Sequence, residues 1–177
     1  AWCDLRELVP YAFGYMMAAK VGTGIVAEIG SMRITEEIDA LEVMGIDSMT
    51  FLCATRLLAA WMVLPFLYIS AVGAGFAASY LAVVIQIGEV SQGGYSLIFW
   101  QFQNPPDLLF SAMKAMSMAT VIVLVGCYYG YTASGGPVGV GTATAKSMVL
   151  NIVLVHLIGM LGTQLFWGQN PRAPIGG

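Results

Sequence analysis

Charge is scarce in this sequence. Of its 177 residues only 10% are charged and 58% are hydrophobic, and the mean hydropathy is +0.79. The net charge of −3 argues against a nucleic-acid-binding protein, for which a basic face is expected. Several nearly uncharged runs approach the length of about 20 residues that crosses a hydrocarbon core of roughly 30 Å. The composition therefore indicates an integral membrane protein of one small domain.

Groups that carry bond chemistry are also scarce. His156 is the single histidine, and the sequence contains no HExxH, GxSxG or paired intramembrane aspartates. Cys3, Cys53 and Cys127 are far apart without CxxC spacing, which favours packing roles over a disulfide framework or a metal site. The string nearest to a nucleotide-binding G-x-x-x-x-G-K-[ST] loop, residues 140–147, lacks both glycines. We expect no catalytic residue, metal or cofactor in this chain.

Four apolar segments long enough to cross a membrane are predicted, at residues 8–27, 51–88, 108–131 and 148–168. The second segment is too long for one straight crossing. Pro65 and the nearby Gly73 offer places for a bend, so the residues alone leave a kinked crossing or a hairpin open. Polar or glycine-rich connections at residues 89–107 and 132–147 precede the last two segments. The pattern predicts an all-α, polytopic membrane fold.

Acidic residues gather in one polar segment between the first two apolar runs, residues 28–50. This segment holds six of the ten carboxylates: Glu28, Glu36, Glu37, Asp39, Glu42 and Asp47. Thr35 is placed to cap a short helix, and Gly45 is placed to end it. Ile38, Leu41 and Met44 recur at helical spacing on one side, while three of the carboxylates share another. The segment therefore contains a short amphipathic helix outside the hydrocarbon.

This amphipathic helix has two interpretations. It is a solvated connector that happens to be acidic, or it is a coupling helix that a soluble subunit receives in a basic groove. An apolar ridge beside carboxylates offers a partner both contact area and charge complementarity. The second interpretation makes the helix a candidate functional site.

Two motifs are similar to those of a known family. The run AKVGTGIVAEIGSMRITEEIDALEVMGID resembles the signature of MlaE/YrbE permeases, the membrane subunits of MCE-associated ABC lipid transporters. A second run, GYTASGGPVGVGTAT at residues 130–144, resembles the glycine-rich loop of that family. The resemblance covers essentially the whole chain and is strongest to the A-type YrbE subunit of actinobacterial Mce importers.

The resemblance implies a fold and a location. A full family member has five transmembrane helices, so about four are expected here, in one permease domain of residues 1–177 whose N-terminal part is expected to be missing. Residues 51–88 would form one long bent helix. The coupling-helix segment 28–50 and the loop 132–147 would face the cytoplasm, in a multi-pass protein of the cytoplasmic (plasma) membrane.

The resemblance also implies partners and cargo. These are a second YrbE-type permease subunit, a cytoplasmic ABC ATPase dimer that binds ATP and magnesium, an MCE-protein assembly and a lipid substrate, with no nucleic acid. Import of fatty acids or related lipids is the implied activity. The expected ATPase contacts are Glu28, Ser31, Met32, Arg33, Thr35, Glu36, Glu37, Asp39, Leu41, Glu42, Met44 and Gly45.

Two lysines within predicted spans are candidates for lipid passage, because a charge inside a membrane is costly. Lys114 resembles the basic residue that follows an aspartate in the family, and it either meets an anionic lipid head group or snorkels to the outer interface. Lys20 contacts lipid or has a structural role, paired with Glu28 or with a neighbouring subunit. His156 is expected to be a hydrogen-bonded packing residue rather than a proton carrier.

Two other functions stay open. In an ion-coupled secondary transporter, Lys20, Lys114 and His156 would form the ion site, and transport would persist when the partner ATPase is inactive. A non-transporting membrane scaffold would show no lipid flux under any energy source.

Overall fold

The computed structural model describes residues 3–169, and this part of the chain is a bundle of helices without a strand. The all-α prediction is confirmed. Six helices follow one another: α1 at residues 4–34, α2 at Glu37–Val43, α3 at Ser48–Ile87, α4 at Gln92–Gln101, α5 at Pro105–Tyr131 and α6 at Gly136–Trp167.

Helix α5 lies at the centre of the bundle, where α1, α3 and α6 pack around it. Glycines allow the close approach of α1 and α5. A Cβ atom at Gly126 would lie 3.2 Å from the Gly22 carbonyl oxygen, and one at Gly130 would lie 2.8 Å from the Ile29 Cβ. Small residues at helix contacts are typical of membrane bundles, because apolar lipid supplies no hydrophobic force that drives helices together.

Three helices are long and apolar enough to cross a membrane: α3, α5 and α6. The predicted first span, residues 8–27, lies in α1 and is not among these three. Helix α1 is continuous, but π-helical turns at Asp4–Leu8 and Ala18–Gly22 divide it, and Lys20, tyrosines and glycines make it less apolar. Residues 3–169 thus contain three strongly apolar helices of membrane-spanning length, where we predicted about four spans.

Helix α3 resolves the choice between a kinked crossing and a hairpin. It runs without interruption through Pro65 and ends before Gly88, whose φ of 72° is left-handed. The single long helix that the resemblance implied is confirmed.

Two predicted connections are partly helical. Residues 136–147 of the predicted loop 132–147 are the first turns of α6, because Pro137 lies in the first turn, where its missing N–H is not needed. The connection 89–107 contains α4, whose N-terminus is capped by the Ser91 hydroxyl oxygen, which accepts from the Gly94 amide at 3.2 Å. Both loop predictions are corrected accordingly.

The glycine-rich turn between α5 and α6 has steric causes. Gly135 and Gly136 have φ angles of 89° and 72°, which residues with a side chain rarely adopt. A Cβ atom at Gly139 would lie only 1.7 Å from the Ser134 carbonyl oxygen. Gly135, Gly136 and Gly139 of the 130–144 motif are therefore needed for the turn itself.

Replacing Gly139 with alanine is expected to destabilise the protein by about 2–3 kcal/mol, because the clash is with backbone and not with a flexible side chain. The unfolding midpoint of the purified protein in detergent measures the effect. Gly141→Ala is the matched control, since nothing lies within 4 Å of a Cβ there. Equal midpoints for the two variants would contradict the steric explanation.

Candidate functional site

Helix α2 begins and ends at sharp reversals of the chain. It follows Glu36, whose φ of 60° places a non-glycine residue in the left-handed region. At the other end the Gly45 amide donates to the Glu42 carbonyl at 2.9 Å, and the Ile46 amide donates to the Leu41 carbonyl at 3.2 Å. These two bonds form a Schellman motif around the left-handed Gly45. The predicted helix stop at Gly45 is confirmed.

Thr35 does not cap α2, so that prediction is wrong. Its amide donates to the Ser31 carbonyl at 3.0 Å, which makes Thr35 the C-terminal cap of the preceding helix. Its hydroxyl lies 3.0 Å from the Glu37 carboxylate. The helical winding of α1 continues through Thr35, and the chain reverses only at Glu36.

The apolar residues of α2 divide between the bundle and the surface. Ile38 is completely buried among side chains of α1, α3 and α5. Leu41 is half-buried, whereas Met44 is 66% exposed and Val43 is 89% exposed. The predicted ridge is therefore exposed only at its Met44 end. The argument from helical spacing did not identify Val43 as an exposed apolar residue. Its position at the end of α2, directly before the turn at residues 44–46, was the signal that could have identified it.

Two carboxylates of the 28–50 segment form ion pairs within the chain. Glu28 lies 2.8 Å from Arg56, and Asp39 lies 2.9 Å from Arg33. At least one partner of each pair is well exposed, so neither pair contributes more than about 1 kcal/mol to stability. A partner protein can therefore compete for these carboxylates at low cost.

Glu42 and Asp47 fasten the segment to the membrane helices. The Glu42 carboxylate accepts from the Ser48 hydroxyl at 2.8 Å and from the Tyr131 hydroxyl at 3.0 Å, which ties α2 to α3 and α5. Asp47 caps α3, and its bonds from the Thr50 hydroxyl and amide lower the pKa of its carboxyl group. Glu42 thus holds the position of α2, and Asp47 fixes the start of α3.

The remaining exposed groups of α2 form one surface. Glu36 is exposed and makes no side-chain hydrogen bond or ion pair within residues 3–169. We call the exposed residues Glu36, Glu37, Asp39, Val43 and Met44 the α2 face.

The other predicted contact residues lie at the adjoining end of α1. Ser31 is exposed, and its hydroxyl donates to the Glu28 carbonyl at 2.8 Å. Met32 is half-buried against the bundle, and the Arg33 guanidinium lies 5.7 Å from the centre of the Tyr131 ring. The structure thus brings the predicted contact residues to one end of the bundle, where the Glu42 carboxylate bonds to Ser48 and Tyr131 of the same chain.

Lys114 lies toward the opposite end of the bundle and is 1% exposed. Its ammonium group donates to the Thr163 hydroxyl at 2.7 Å, to the Glu7 carboxylate at 3.0 Å and to the Arg6 carbonyl at 3.1 Å. The snorkelling interpretation is wrong, because the ammonium group points between α1 and α6 and not to an outer interface.

A second buried ion pair lies beside Lys114, and sequence reasoning missed it. The Arg6 guanidinium and the Asp107 carboxylate are 2.6 Å apart, with 4% and 2% of their side chains exposed. The Trp167 indole N–H donates to the other Asp107 oxygen at 2.9 Å. In the sequence, Arg6 and Asp107 are visible as charges beside apolar runs. Their pairing is not visible there, because Arg6, Asp107 and Trp167 belong to three different helices.

Lys20 is exposed in the π-helical turn Ala18–Gly22 of α1. The predicted pairing of Lys20 with Glu28 is wrong, because Glu28 pairs with Arg56. A pairing with a neighbouring subunit stays a prediction.

His156 has hydrogen-bond partners on both ring nitrogens. Its Nδ1 lies 2.8 Å from the Ile152 carbonyl oxygen, so this nitrogen carries the proton. Its Nε2 lies 2.8 Å from the Tyr15 hydroxyl, which donates to it. The hydrogen-bonded role that we expected for His156 is confirmed.

Known proteins similar to this chain include probable ABC transporter permeases. A family model described as Permease MlaE matches residues 1–165. A probable ABC transporter permease protein of Rickettsia bellii is 34% identical over 162 residues, covering 92% of this chain and 62% of the relative. A protein of Arabidopsis thaliana named TRIGALACTOSYLDIACYLGLYCEROL 1, chloroplastic, is 28% identical over 166 residues, covering 92% of this chain and 46% of the relative. The chain thus spans less than two thirds of the length of these relatives.

Proposed function

Because the chain belongs to the MlaE permease family, we propose that it is the membrane-spanning permease subunit of an ABC lipid transporter and that its α2 face binds a separate ATPase. The observation that carries the proposal is the α2 face itself. Exposed apolar side chains and unpaired or weakly paired carboxylates lie together on a short helix outside the apolar spans. Such a surface suits an apolar and basic groove on a soluble partner.

The anchoring of α2 suits a part that transmits force. Ile38 is locked into the bundle core, and Glu42 bonds to Ser48 of α3 and Tyr131 of α5. A movement of α2 is therefore passed to two membrane spans instead of being absorbed in a loose loop. ATP and magnesium would be bound by the partner, which would supply the energy.

Lipid is the proposed cargo. The Arabidopsis relative carries the name of a glycerolipid, and the motifs of residues 19–47 and 130–144 resemble those of lipid permeases. The finer parts of the proposal rest on that resemblance: import of fatty acids or related lipids, a second YrbE-type permease subunit, an MCE-protein assembly, and a location in the plasma membrane.

Lys20 is the better candidate of the two lysines for contact with an anionic group of the cargo. At about 1.5 Å rise per residue it lies roughly 20 Å from Glu7 and roughly 12 Å from Glu28 along α1. An exposed charge in the middle of a helix that crosses the membrane is costly unless another molecule neutralises it. A passage role for Lys114 stays a prediction, and it requires that Lys114 exchange its Glu7 partner for the lipid.

Lipid flux in proteoliposomes tests the proposal. The protein is reconstituted with its co-purified partners, and movement of a labelled fatty acid is followed with ATP and either an active or a catalytically inactive ATPase. We expect flux only with the active ATPase. Flux that an ion gradient sustains with the inactive ATPase would identify a secondary transporter, and no flux under any condition would identify a scaffold.

A further inference from the structure

A polar cavity of about 310 Å³ lies where α5 ends and α6 begins. Lys146 and the hydroxyls of Thr132, Ser134 and Thr142 line it, together with Tyr129. Lys146 is exposed and forms no ion pair with any carboxylate of residues 3–169. The cavity therefore offers an unneutralised cation among hydroxyl groups.

An apolar groove of about 450 Å³ continues from this cavity along α6. Val149, Leu150 and Val153 line the groove, and Tyr129 and Lys146 line both spaces. Because a residue one or two helical turns further along α6 lies deeper in the span, the groove leads from the polar cavity toward the membrane interior. The two spaces together form one site with a polar end and an apolar end.

The position of Lys146 along α6 coincides with the membrane surface. Residues 147–166 cover roughly 30 Å at about 1.5 Å per residue, which matches the hydrocarbon core. The first turns of α6 and Lys146 then lie at the level of the lipid head groups. Tyr128 and Tyr129 lie at the neighbouring end of α5, as expected for aromatic residues at a membrane interface.

The hydroxyl groups restrict the head group further. Thr132 donates its hydroxyl hydrogen to the Tyr128 carbonyl at 2.8 Å, and Thr142 donates to the Val138 carbonyl at 3.0 Å. Their oxygens are left as acceptors, whereas Lys146 supplies donors and positive charge. An anion that also carries hydroxyl donors satisfies both kinds of group.

We propose that this site binds an anionic phospholipid with a glycerol head group, such as phosphatidylglycerol, from the leaflet on the α2 side. The phosphate contacts Lys146, the head-group hydroxyls donate to Thr132 and Thr142, and one acyl chain lies in the groove. The proposal stands whether or not the α2 face binds an ATPase.

Native mass spectrometry tests the proposal. The protein is extracted with mild detergent from liposomes of equal phosphatidylglycerol and phosphatidylcholine content, and retained lipids are counted. We expect preferential retention of phosphatidylglycerol. Lys146→Gln should lower this retention about fivefold, the effect typical of one interfacial cation. Lys146→Arg is the matched control and should retain the lipid.

Two further arms identify the ligand. Val149→Trp fills the groove with Lys146 intact and should also lower retention of phosphatidylglycerol. Free glycerol 3-phosphate should not displace the lipid, because it lacks the acyl chain that the groove holds. Equal retention of the two lipids, no effect of Lys146→Gln, or displacement by glycerol 3-phosphate would each overturn the proposal.

Discussion

Replacing Asp107 with alanine is expected to destabilise the protein by about 3–5 kcal/mol. The substitution leaves the Arg6 guanidinium buried without its carboxylate, and it removes the acceptor of the Trp167 indole N–H. Removal of one partner of a buried ion pair costs far more than the pair contributes to stability. The unfolding midpoint in detergent, followed by size-exclusion chromatography after heating, measures the loss.

The double variant Arg6→Met/Asp107→Asn is the control for this prediction. It removes both charges and keeps an acceptor oxygen for Trp167, so it should recover most of the stability that Asp107→Ala loses. If Asp107→Ala unfolds at the wild-type temperature, or if the double variant is as unstable as the single one, the buried pair is not a determinant of this bundle.

Replacing Val43 with aspartate is expected to weaken ATPase binding by at least roughly thirtyfold, or about 2 kcal/mol, the loss typical of an interface hot spot. Val43 is 89% exposed, so the change removes almost no contact within the chain. It does place a charge in the apolar part of the α2 face. Co-purification stoichiometry and the dissociation constant of the complex measure the effect.

Leu97→Asp is the matched control for this prediction. Leu97 is 70% exposed on α4, which follows the C-terminal end of α3, whereas α2 precedes the N-terminal end of α3. The same kind of change at Leu97 should therefore leave ATPase binding intact. Unchanged binding by Val43→Asp, or an equal loss in both variants, would count against the α2 face as the docking surface. Glu42 is a poor choice for such a test, because its replacement also breaks the bonds to Ser48 and Tyr131.

Hydropathy and glycine chemistry predicted the features that depend on local sequence. Long apolar runs predicted the membrane helices, and Gly45 predicted the end of α2. The resemblance added the single long α3, which the residues alone left open. The role of Thr35 was misjudged because Thr35 closes the C-terminus of α1 instead of opening α2. The loop before residue 148 was misjudged because glycines do not prevent a helix that has Pro137 in its first turn.

Features that depend on distant residues could not be predicted from the sequence. Lys114 takes its partners Glu7 and Thr163 from positions 107 and 49 residues away, so nothing near Lys114 indicates that it is buried and paired. Helical spacing placed Ile38 and Met44 on one side of α2. Only the packing of that helix against the bundle decides that Ile38 is buried and that Val43 is exposed.

Site-specific photocross-linking shows directly whether the α2 face contacts a separate ATPase. A photoreactive amino acid is placed at position 43 and, for comparison, at position 97, and the cross-linked chains are identified by mass spectrometry. We expect a cross-link from position 43 to an ATP-hydrolysing subunit and none from position 97. A complex that hydrolyses ATP yet shows no cross-link from position 43 would contradict it.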